Sequence, residues 1–113
     1  MWLFTNFGFF SVVQKKGNTD LVVRSRVKAD LEALRDRYIP TLGPIIKGGG
    51  TDYQYRAKVS HAAFSQAVAH IVFDIKYDNF KDSVAAEQGD ERSQAYEAVW
   101  TSMRNLGWEQ SDH

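Results

Sequence analysis

The sequence predicts an α+β domain: a small antiparallel sheet of three to four strands, in the order β-β-α-β-α-α, with helices packed on one face. Two observations carry that prediction. Two runs rich in β-branched and aromatic residues, Phe9 to Gln14 and Leu21 to Val27, are joined by the polar stretch Lys15-Lys16-Gly17-Asn18-Thr19-Asp20. A connection that short closes a hairpin, because parallel strands need a crossover of a dozen residues or more. Beyond the hairpin, segments with helical spacing and one alternating segment interleave, which is the mixed order of an α+β fold.

Each element has its own signature. Trp2 to Thr5 can add a short strand, with Asn6-Phe7-Gly8 as the bend that follows. Val27, Leu31, Leu34 and Tyr38 recur at four, three and four residues, which marks one helical face. Asp30 and Glu32 in the first turn and Arg35 and Arg37 in the last suit the helix dipole, and Pro40 stops the helix at or before Ile39. Gly43-Pro44 and Gly48-Gly49-Gly50 mark a loop over 43–52. Tyr53, Tyr55, Ala57 and Val59 then alternate with Gln54, Arg56 and Lys58, as in a half-buried strand. Ser60 is the expected N-cap of a helix whose buried face is Phe64, Ala67, Val68, Ile71 and Ile75. Tyr77 to Val84 reads as a turn and a short helix capped by Asp78 or Asn79. The last helix starts at Gly89-Asp90 and carries the stripe Tyr96, Val99, Trp100, Met103 and Leu106. Gly107 followed by Trp108 predicts a C-terminal reversal, in which the tryptophan folds back on the last turn.

The chain has 113 residues, 43% of them hydrophobic and 25% charged. That suits one globular domain, placed at 1–108, with 109–113 as a frayed tail. The composition excludes a disordered or low-complexity segment. No apolar run reaches the ~18–20 residues that span a bilayer, so no membrane partner is expected. Met1-Trp2-Leu3-Phe4 has neither a basic region nor a long apolar run, so a secretory signal is not expected. The lack of cysteine excludes disulfides and thiolate chemistry and fits a cytoplasmic location.

Residues of these blocks resemble a known group. Gly8-Phe9-Phe10-Ser11-Val12-Val13, Leu21-Val22-Val23-Arg24-Ser25-Arg26, Asp52-Tyr53-Gln54-Tyr55-Arg56, Tyr77-Asp78-Asn79-Phe80-Lys81 and the helix around Trp100 are similar to short uncharacterised bacterial proteins of unassigned function. The similarity covers nearly the whole chain. It implies a bacterial or phage source and a free-standing domain, and it carries no activity or catalytic residue across.

Charge supplies the first functional clue. The formal net charge is zero, yet residues 1–60 hold ten bases against five acids, and residues 61–113 hold four against nine. Within the basic half, strand alternation puts Arg24 and Arg26 on the side opposite Leu21, Val23 and Ser25, and Arg56 and Lys58 on the side of Gln54. If both apolar phases face the helices, Arg24, Arg26, Arg56 and Lys58 converge on the other face. Either Phe9, Ser11 and Val13 or Phe10, Val12 and Gln14 joins them from the first hairpin strand. Arginine, lysine and aromatics on a sheet can hold phosphates and stack bases. The plainer alternatives are a solvated face, since long basic side chains also blunt aggregation, and a subunit interface.

Other features are weaker. Lys47 precedes the glycine run, whereas a phosphate-binding loop needs its lysine after the glycines and a helix behind it; a flexible connector or a lid remains. His70 and Asp74 are four apart, and His61 lies on a different helical face, so a surface hydrogen bond competes with an acid–base pair. An alternative pocket near the 43–52 loop would use Tyr55, His61 and His70, in a small enzyme or small-molecule-binding protein. No nucleophile elbow, dinucleotide fingerprint or zinc spacing occurs, so no cofactor and no metal are expected. Trp2, Phe4, Phe7, Phe73, Tyr77, Phe80 and Trp108 lie outside the clear core stripes. Phe73 sits opposite the buried face of its helix and points to a cover, a pocket or a homodimer interface. The best reading is a non-catalytic binding or interaction module, a homodimer engaging nucleic acid or another phosphate-bearing partner.

Overall fold

The computed structural model of the protein describes residues 1–48 and 52–111. The fold is α+β. The chain divides into two compact units, Met1–Lys76 and Tyr77–His113.

The first unit holds a five-stranded sheet. Its strands are β1 (Trp2–Phe4), β2 (Phe9–Val13), β3 (Leu21–Ser25), β4 (Ile46–Lys47) and β5 (Tyr55–Val59). They lie in the order β1-β2-β3-β5-β4, every pair antiparallel. Strand β4 falls inside the stretch read from sequence as a loop; two residues are too few for alternation to register. Helices α1 (Lys28–Arg37) and α2 (His61–Phe73) belong to the same unit.

One face of the sheet makes the core. Phe10 and Val12 of β2, Val23 of β3, and Ala57 and Val59 of β5 are buried with Leu31 and Leu34 of α1 and Phe64 and Ala67 of α2. The opposite phase of β2, with Phe9, Ser11 and Val13, therefore faces away from the helices. That settles which of its two phases joins Arg24.

Helix ends follow local chemistry. The Ser60 hydroxyl caps α2 by accepting from the Ala63 amide at 3.1 Å. Helix α1 ends at Arg37, short of Pro40, as expected. Val27 is its N-cap residue and is largely exposed, so it stands outside the buried stripe that Leu31 and Leu34 lead. Helix α2 stops at Phe73, which takes Ile75 out of its expected buried face; Ile75 is 48% exposed. On the surface of α1, the Arg35 guanidinium donates to Asp36 at 2.8 Å. That hydrogen bond holds the Asp36 carboxyl below its ordinary range and the Arg35 guanidinium above its own. Both groups are exposed, so the pair adds little to stability.

Asp30 has a role that first-turn placement does not suggest. It is buried, and its Oδ2 accepts from the Phe9 amide at 3.0 Å, tying α1 to the start of β2. The turn before β2 is closed by Thr5, whose hydroxyl donates to the Gly8 carbonyl at 2.8 Å and accepts from the Gly8 amide at 3.0 Å. Replacing Asp30 by alanine leaves the Phe9 amide without its acceptor and should lower stability by about 1–3 kcal/mol. Asp30→Asn keeps an acceptor oxygen and should lose less. Urea unfolding midpoints check both, and an unchanged midpoint for Asp30→Ala would contradict the role.

The second unit is a helical hairpin of α3 (Phe80–Gln88) and α4 (Asp90–Ser111). Asn79 caps α3, its Oδ1 accepting from the Asp82 amide at 3.0 Å. The reversal between the helices falls on Gly89, at φ +93°, where a side chain would be strained. The Phe80 and Tyr96 rings stack at 5.9 Å, and Lys81 pairs with Glu97 at 3.5 Å. Helix α4 continues through Gly107 to Ser111, so the reversal expected at Gly107 does not form. The stripe of α4 is also less covered than its spacing suggests: Trp100, Met103 and Leu106 are each more than half exposed. Nine residues of α3 span about 13 Å and twenty-two of α4 about 33 Å, so α3 runs out before that end of the stripe. Glu109 to Ser111 lie within α4, and residues 112–113 lie outside the described residues.

Candidate functional site on the basic sheet face

The site is built by register. Arg24 of β3 stands directly opposite Arg56 of β5, and Lys58 stands opposite Val22. Ser11 is the partner of Arg24 on the other side, Trp2 that of Ser11, and Ile46 that of Arg56. Direct partners share a face, so Trp2, Ser11, Arg24, Arg56 and Ile46 form one row across all five strands. Like charges placed opposite each other are unfavourable by a few tenths to about 1 kcal/mol. Among the described residues no carboxylate forms an ion pair with Arg24, Arg26, Arg56 or Lys58.

The two arginines differ in how they are held. Arg24 Nη2 donates to the Ser11 hydroxyl at 2.7 Å, and its guanidinium lies 4.7 Å from the centre of the Tyr53 ring. The Arg26 guanidinium lies 5.3 Å from the same ring. Arg26 is therefore beside Arg24 although it follows the end of β3. Among the described residues the Arg56 side chain has no such partner, and Nε of both Arg24 and Arg56 is shielded from solvent without an acceptor. A buried donor left unpaired costs about 1–3 kcal/mol.

Aromatics flank the cations. Phe4 stacks on Phe9 at 4.5 Å, Trp2 meets Phe9 edge-on at 5.9 Å, and Tyr53 lies 6.4 Å from Phe9. Trp2 is 59% exposed. Ser11 belongs to the first of the two phases that alternation offered for β2, and Tyr53 is the site residue that alternation missed. Tyr53 shares a parity with the core residues Ala57 and Val59, but a bend at Gln54 precedes β5 and puts its ring against Arg24. The two contacts of Tyr53 with Arg24 and Arg26 have no sequence signal beyond the turn-prone Thr51-Asp52 ahead of them.

The alternative residues are not brought together. Tyr55 lies on the core face of β5, paired with Ser25. His61 opens α2, and its Nε2 lies 3.0 Å from the Gln14 carboxamide oxygen. His70 is nine residues further along α2, about 13 Å away along the axis and on the opposite side. Asp74 accepts from the Tyr38 hydroxyl at 2.7 Å. Gly48 is described, at φ +93°, while Gly49 to Thr51 of the glycine loop lie outside the described residues. Among the described residues no three of His, Asp and Glu are grouped to hold a metal ion, and no helix is long and apolar enough to cross a membrane. No protein-family model, curated protein or solved structure matches the chain.

Proposed function

We propose that the protein is a non-catalytic binding module that engages a phosphate-bearing partner, single-stranded nucleic acid foremost, through Arg24, Arg26, Arg56 and Lys58. The observation that carries this reading is the facing Arg24–Arg56 pair, with no carboxylate ion-paired to it among the described residues and both Nε donors unpartnered there. Such a pair is unfavourable alone and favourable around an anion, because planar guanidinium donors match phosphate oxygens. The neighbouring rings of Trp2 and Phe9 add stacking surface, which serves single-stranded bases of any sequence. The partner is expected in the cytoplasm, where a chain without cysteine is at home. A homodimer is the expected assembly, supported by the exposure of Phe73, at 83%, and of its neighbour Val72.

The test is retention of labelled single-stranded RNA and DNA pools by the purified protein at low salt, with its mass measured in parallel. The expected result is binding by a dimer. Absence of binding to both pools would remove the proposal, and a monomeric mass would remove the homodimer.

A further inference from the structure

Between β3, β5 and β4 the same sheet face dips into a groove of about 310 Å³. Its floor carries Arg56 and Lys58, two apart on β5 and so about 7 Å from each other on one face. Lys15 and Asn18 of the hairpin turn form one wall, and Pro44 and Ile46 form the other, with Val22 beside Lys58. Among the described residues three cations and no carboxylate line it. Asp20 lines a separate recess of about 70 Å³ that shares Asn18, Val22 and Lys58 with the groove.

We propose that this groove holds a phosphate monoester carrying a flat apolar body of mononucleotide size. The proposal rests on the anion-binding reading of the sheet face and adds the class of ligand. Three cations suit a group of nearly two negative charges better than a single carboxylate. The volume exceeds what an inorganic phosphate needs and stands at the lower end of small-ligand sites. Pro44, Ile46 and Val22 offer apolar contact to the body of the ligand, and the Asn18 carboxamide presents both a donor and an acceptor to its edge. Asp20 at the neighbouring recess directs the phosphate toward Arg56 and Lys15 and away from itself.

The ligand can be a free mononucleotide or the phosphorylated end of a single strand. Calorimetric titration with adenosine monophosphate, adenosine and inorganic phosphate tests the groove. Adenosine monophosphate is expected to bind at least about tenfold more tightly than either fragment, since each loses one set of contacts. Ile46→Asp, at an exposed position of a two-residue edge strand, should weaken it by at least about tenfold while far-ultraviolet circular dichroism stays unchanged. Lys15→Ala serves as a second variant, outside every strand, with the same expected direction.

Equal binding of adenosine monophosphate and inorganic phosphate would overturn the proposal, as would wild-type affinity in both variants. An oligonucleotide bound through Arg56 by a protein that ignores adenosine monophosphate would overturn the groove and leave the sheet-face reading standing. Loss of both would end both. If adenosine monophosphate binds, competition by a 5′-phosphorylated oligonucleotide and not by its 5′-hydroxyl form supports the groove as a site for a strand end. Competition by neither supports the free mononucleotide.

Discussion

The double substitution Arg24→Ala with Arg56→Ala is expected to weaken single-stranded nucleic-acid binding by at least about a hundredfold. Each guanidinium supplies charge-assisted hydrogen bonds of about 1.5–3 kcal/mol, and tenfold in affinity is about 1.4 kcal/mol. The fold should survive, because neither side chain belongs to the core formed with α1 and α2. The two positions separate binding from stability. Among the described residues Arg56→Ala breaks no side-chain hydrogen bond, and it relieves the repulsion across β3 and β5, so its melting temperature should hold or rise slightly. Arg24→Ala leaves Ser11, only 2% exposed, without its donor and removes the contact with Tyr53; it should lower stability by about 1–2 kcal/mol. Wild-type affinity in the folded double variant would refute the role of these arginines.

Gly8→Ala should be among the most disruptive single-methyl changes in the chain, lowering stability by about 2–4 kcal/mol. A Cβ at Gly8 would sit 2.8 Å from Cζ of Phe10 and 2.9 Å from Cβ of Asp30. Phe10 is fully buried and cannot swing aside without disturbing the core, and Asp30 cannot move without releasing the Phe9 amide. The methyl group therefore overpacks the core or breaks the link from α1 to β2. Gly17→Ala is the informative contrast: no atom lies within 4 Å of its added Cβ, but its φ is +85°. Its cost should be only the ~1–2 kcal/mol of left-handed backbone in a residue with a side chain. Thermal and urea unfolding measure both, and a Gly8→Ala protein as stable as wild type would contradict the close packing described.

The face carrying Arg24, Arg56 and Lys58 was legible because alternation in Leu21 to Val27 and Tyr53 to Val59 is strong, and period two decides the side on which a residue falls. Register was not legible. That Arg24 meets Arg56, rather than a neighbour two residues away, depends on how β3 and β5 slide into pairing, and alternation is blind to a shift of two. Asp30 shows a second limit. Its place in the first turn of α1 accounts for an acid by the helix dipole, so nothing local flags a hydrogen bond to a residue twenty-one positions earlier. Tyr53 was missed because a bend at Gln54 interrupts the parity on which the prediction relied. The stripe on α4 shows a third limit: helical spacing marks Trp100, Met103 and Leu106 as one apolar face, but says nothing of whether the adjoining helix is long enough to cover it.

The most direct test of the basic sheet face as a phosphate-binding surface is the salt dependence of oligonucleotide affinity in the wild-type protein. Each phosphate contacted on a single strand contributes about −0.7 to the slope of log K against log salt concentration. Contact through two to four of Arg24, Arg26, Arg56 and Lys58 predicts a slope of about −1.4 to −2.8. Binding whose affinity is flat across the same salt range would place the contact away from these cations and contradict the account.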